Sequence, residues 1–86
     1  MPERLTLKNG YILENSSAFR SGELFLYIRG ISMRKAFDLL AEPLNTEEIT
    51  YTQNNGDIVI FKGFTKLTVI RDEGSGLITA VLDKGE

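Results

Sequence analysis

The stretch from Tyr51 to Ile70, YTQNNGDIVIFKGFTKLTVI, constrains the fold most. Polar and apolar residues alternate through it with a period of two, the spacing that puts successive side chains on opposite faces of a strand. The alternation breaks twice, at Asn54-Asn55-Gly56-Asp57 and at Lys62-Gly63-Phe64. An Asn-Gly pair between alternating runs signals a hairpin, and a type I′ turn is expected at Asn55-Gly56. Gly63 lies inside the second run, where a glycine marks a bulge or a sharp bend. The expectation is one long strand from Ile58 to Arg71, bent at Gly63, that lets the sheet curl around a helix.

The rest of the chain reads in the same way. RLTLKNGYIL gives two short strands about a second Asn-Gly turn, Asn9-Gly10, also expected to be type I′. ENSSAFRSG reads as a polar connection. ELFLYIRG is a strand with Leu24, Leu26 and Ile28 on one face and Phe25 and Tyr27 on the other. ISMRKAFDLLAEP is the one helix, with Ser32 as N-cap and an apolar stripe of Met33, Ala36, Phe37 and Leu40; Pro43 ends it. RDEGSG is a turn and LITAVLDK the last strand. The order β-β-β-α-β-β-β predicts an α+β fold: a curved, mainly antiparallel sheet of about six strands packed on one short helix. At 86 residues the chain reads as a single domain, 1–86, with few residues to spare for a deep cleft.

Two absences narrow the chemistry. The chain has no cysteine and no histidine, which removes disulfides, thiolate nucleophiles, Cys/His zinc sites and histidine bases. Adjacent acids (Glu47 with Glu48, Asp72 with Glu73) point to opposite faces of a strand and do not converge as a catalytic pair. Asp72-Glu73-Gly74-Ser75-Gly76 lacks the alternating ligands of a calcium loop. The short glycine turns lead into no helix and offer no phosphate cradle. The chain is therefore read as not an enzyme, with no cofactor and no metal.

The net charge of −2 is spread along the chain and argues against nucleic acid as a partner. No apolar run approaches the roughly 20 residues of a membrane span. The polar, strand-like start MPERLTLKNG does not resemble an export signal, so a cytoplasmic or virion-associated location is expected.

Two candidate surfaces remain. Phe25, Tyr27, Ile58, Ile60 and Phe64 oppose the face a single helix would cover. They are shielded if the sheet rolls closed, and otherwise await a protein partner or a second copy. Arg29, Arg34 and Lys35 cluster at the helix start, where positive charge opposes the helix dipole. They form a candidate patch for an acidic partner.

ISMRKAFDLLAEPLNTEEITY followed by GDIVIFKGFTKLTVI resembles a family of small proteins from Firmicutes prophages and related mobile elements. The likeness rests on the opening LTLKNGYILENSSAF, on the turn Pro43, Asn45, Thr46, and on Gly63, Phe64, Thr65, Leu67; Phe64 stands where that pattern has tyrosine. The resemblance implies a phage-type accessory protein associated with tail or baseplate genes, and carries over no catalytic or binding residue. The expected function is a non-catalytic structural or protein-interaction module, used in assembly through open sheet edges or the aromatic second face. The alternative is a small regulatory or inhibitor protein that binds a host protein through Arg29, Arg34 and Lys35.

Overall fold

The computed structural model describes residues 2–85. The elements are β1 (Arg4–Thr6), β2 (Ile12–Glu14), β3 (Ser17–Ser21), β4 (Glu23–Ile28), α1 (Met33–Leu40), α2 (Pro43–Thr46), β5 (Glu48–Thr52), β6 (Ile58–Lys62), β7 (Lys66–Gly74) and β8 (Leu77–Asp83). The fold is α+β, as expected, but one curved sheet of six strands is replaced by two sheets of four. The first has the order β2-β1-β5-β6 and the second β3-β4-β8-β7, with every pairing antiparallel.

The expected bend at Gly63 is a complete change of sheet. β6 ends the first sheet, β7 edges the second, and Gly63-Phe64-Thr65 makes the corner. Gly63 has φ +84°, a left-handed value that side chains with a Cβ resist. Its N–H donates to the Glu47 carbonyl at 2.9 Å, and its own carbonyl accepts from Gly85 N at 3.0 Å. Val59, Phe61, Gly63 and Leu67 keep one two-residue register across the corner, which is why the sequence reads as one strand.

A second corner joins β2 to β3. Asn15 takes φ +55°, and Ser16 is fully buried. The Ser16 hydroxyl donates to the Glu14 carbonyl at 3.0 Å and accepts from Arg29 N at 3.1 Å, so neither buried group is orphaned. The segment read as a polar connection is thus a corner followed by an edge strand, and Gly22 (φ +73°) closes the tight β3–β4 hairpin.

The two Asn-Gly turns are present but are not type I′. Only the glycine of each pair has positive φ. Gly10 N donates to Leu7 O and Leu7 N to Tyr11 O, both at 2.9 Å; Gly56 N donates to Gln53 O at 2.9 Å and Gln53 N to Asp57 O at 2.8 Å. This is a three-residue loop, a type I turn closed by a left-handed glycine. Each asparagine side chain accepts from the backbone N–H two residues on, Tyr11 at 3.0 Å and Asp57 at 2.9 Å.

Ser32 caps α1 as expected, its hydroxyl accepting from Lys35 N at 3.1 Å. The buried arc is Ala36, Leu39 and Leu40, however, and Phe37 lies off it, 47% exposed. Pro43 does more than stop the helix: it opens the one-turn α2, which begins where its missing N–H is not needed. Asn45 Nδ2 then donates to the Leu39 carbonyl at 3.0 Å and supplies a partner at the open end of α1. Lys8 N donates to Asn45 O at 2.9 Å, and Lys8 Nζ lies 3.1 Å from Glu47, tying the first hairpin to α2.

Both sheets turn one face to a shared core. Leu5, Leu13 and Ile49 come from the first sheet; Leu24, Leu26, Ile28, Ile78, Ala80 and Leu82 come from the second. Phe64 enters the same cluster from the corner.

Candidate protein-interaction surface

β4 alternates cleanly, with Leu24, Leu26 and Ile28 buried and Phe25 and Tyr27 on the outer face of the second sheet. Register fixes their neighbours. Phe19 lies opposite Phe25, Phe25 opposite Val81, and Val81 opposite Val69. One apolar row therefore crosses all four strands from edge to edge. Beside it runs a polar row, Ser17–Tyr27–Thr79–Arg71. Phe19 is 60% exposed, Val69 42% and Tyr27 38%. A shallow depression of about 360 Å³ lies over Phe25, Tyr27, Val69 and Val81, rimmed by Arg71 and Glu73. Thr79 Oγ1 donates to Glu73 Oε2 at 2.8 Å, fixing that rim.

Phe64 does not belong to this surface. It is 1% exposed, packed edge-on against Phe61 with ring centroids 6.4 Å apart. Arg20 and Lys84 bring their charges to 5.1 and 4.9 Å from its ring. The corner turns Phe64 inward between the sheets, whereas an unbroken strand would have left it outside.

Phe19, Val69 and Val81 join the surface although the sequence did not single them out. Phe19 sits in the segment read as a connection, where only its spacing before Ser21-Gly22 hints at pairing with Phe25. Val69 lies in the run expected to form one strand from Ile58 to Arg71, and a register shift between Leu67 and Val69 puts it on the outer face.

The basic residues are exposed at the helix start, but two hold partners within the chain. Arg34 pairs with Asp38 at 3.5 Å, one turn on, and the Lys35 ammonium lies 5.1 Å from the Tyr11 ring centre. Arg29 contributes its backbone N–H to Ser16. Among the described residues no group of three or more acidic side chains is placed to hold a metal ion, and no helix is long and apolar enough to cross a membrane.

One tyrosine is perturbed. The Tyr51 hydroxyl donates to the Glu3 carboxylate. That bond, then partial burial, then the Glu3 charge push its pKa up to about 12. An unfolded tyrosine releases its proton near 10, so above that pH the unfolded state binds fewer protons than the native state. This stabilisation is complete below pH 10 and disappears as pH rises through about 12. Tyr51→Phe is therefore expected to flatten the fall of the urea midpoint over that window relative to the parent chain. An identical alkaline limb would show that Tyr51 does not cause it.

In comparisons with protein-family models, curated proteins and solved structures, nothing matches this chain.

Proposed function

We propose that this chain is a non-catalytic assembly module that buries the outer face of its second sheet against another copy or another protein of the same assembly. The carrying observation is the continuous row Phe19–Phe25–Val81–Val69, with Tyr27 beside it, left uncovered by both helices and by the first sheet. Large exposed apolar residues aligned across a whole sheet favour association, whereas scattered ones need no explanation. The prophage resemblance supports a phage-type accessory role, with tail or baseplate assembly as the setting. The regulatory alternative through Arg29, Arg34 and Lys35 is the weaker reading, because Arg34 and Lys35 are engaged with Asp38 and Tyr11.

Light scattering across dilution, at low and high salt, tests the assembly reading. A salt-resistant oligomer is expected, since burial of apolar surface is not screened by ions as an exposed charge pair is. Tyr27→Lys is expected to weaken association roughly tenfold, the equivalent of about 1.4 kcal/mol of lost apolar burial. A Tyr27→Lys variant that associates as the parent does would sink the proposal for this face.

A further inference from the structure

The four sheet edges are not alike. β2 has three residues, too few to template a partner. β7 is interrupted by two register shifts and carries Lys66, Arg71, Asp72 and Glu73. β3 carries Arg20 on the face of Leu24, its charge lying over the Phe64 ring. Short length, bulges and inward charges are the ordinary protections of an edge against strand addition. β6 is the least protected, its one charged residue being Lys62 at its last position. It is five residues long, pairs with β5 without a shift, and leaves Ile58 and Ile60 62% and 50% exposed.

The direction of its backbone groups follows from the bonds at its two ends. Gln53 N donates to Asp57 O, and Gly63 N donates to Glu47 O. Both pairs fit the β5–β6 register, in which Tyr51 faces Val59 and Ile49 faces Phe61. Hydrogen-bonded pairs alternate along an antiparallel ladder, so Val59 and Phe61 bond to β5. Ile58, Ile60 and Lys62 must then direct their N–H and C=O groups away from the sheet. Among the described residues the one further partner of these groups is Lys84 Nζ, which donates to the Lys62 carbonyl at 3.0 Å and leaves that oxygen a second lone pair.

We propose that β6 is a dimerisation edge that pairs antiparallel with β6 of a second copy about a two-fold axis at Ile60. The self-complementarity of the strand selects this occupant. With Ile60 opposite Ile60 of the second copy, Ile58 lies opposite Lys62 and Val59 opposite Phe61, and all five residues overlap. The pairs that must exchange hydrogen bonds are Ile58 with Lys62 and Ile60 with itself, the same residues whose groups point outward. On one face Val59 meets Phe61, a β-branched–aromatic pair that favours strand association. On the other the two Ile60 side chains touch, and each Lys62 stem lies along Ile58. The product is one eight-stranded sheet, β2-β1-β5-β6 continued by its copy. This edge lies on the first sheet and the row of Phe25 on the second, so either contact can exist without the other.

Residue 60 faces its own copy, so charge at that position is the test. Ile60→Lys and Ile60→Glu are each expected to halve the solution mass relative to the parent at equal concentration, because like charges meet on the axis. Mixed in equal amounts, the two variants are expected to recover the parent mass as a heterodimer, which also shows that both fold. A parent already monomeric at high concentration overturns the proposal. Single variants that keep the parent mass do so too, as does a mixture that fails to recover it. Tyr27→Lys in the same assay reports on the other face alone, so failure of one reading is distinguishable from failure of the other.

Discussion

Replacing Phe64 by alanine is expected to lower the stability of the fold by about 3–5 kcal/mol, the range for large aromatic truncations in a core. The ring is 1% exposed at the corner between the sheets, with Phe61 against it and the Arg20 and Lys84 charges over it. Truncation removes these contacts and opens a void, because Gly63 and the ends of β6 and β7 are held by the ladders on either side. Domains of ordinary stability have only about 5–15 kcal/mol in total, so the loss takes a large share of it. Equilibrium urea denaturation checks the expectation through a lower midpoint at unchanged slope. Phe64→Leu, which keeps much of the volume, should cost clearly less. A Phe64→Ala cost below about 0.5 kcal/mol, as for surface positions, would show that the ring does not bridge the sheets.

That expectation reverses what the alternation alone suggests for Phe64, and the reason marks where sequence reading stops. Period-two patterning assigns faces correctly along β4, where Leu24, Leu26 and Ile28 are inside and Tyr27 is outside, and fails within β7, where the shift between Leu67 and Val69 puts them on opposite faces. It carries no information on whether the next residue continues the same sheet. Gly63 is visible as a break, but nothing local distinguishes a bend from a crossing. The distinction depends on Glu47 and Gly85, far along the chain, which hold its N–H and C=O. Ser16 and Asn15 hide the other corner for the same reason, since a buried serine and a left-handed asparagine look like polar linker. The Asn-Gly turns show the converse. Their positions are legible from two residues, while the turn type depends on how many residues the flanking strands leave unpaired. For the surface, Phe25 and Tyr27 follow from alternation, whereas Phe19, Val69 and Val81 need the strand order 3-4-8-7 before they align.

Gly63→Val is expected to cost about 2–3 kcal/mol, the upper part of the range for a side chain forced into a left-handed backbone. Space is not the obstacle: an added Cβ would meet only the flexible Lys84 side chain, at 3.6 Å. The cost is conformational, because φ is +84° and hydrogen bonds to Glu47 and Gly85 fix the peptide on both sides. A graded series follows from that cause. Gly63→Asn should be mildest, since asparagine visits this region most readily of the residues with a Cβ; alanine should be intermediate and valine worst. If steric contact were the cause, asparagine would be worse than alanine, so the order of midpoints in urea decides between the two explanations. The same glycine sets the turn between the sheet that carries the β6 edge and the sheet that carries the Phe25 row. A valine variant that still folds is therefore expected to keep each proposed interface separately while changing the angle between them. Assemblies built from both contacts should then be altered even where the β6 dimer persists.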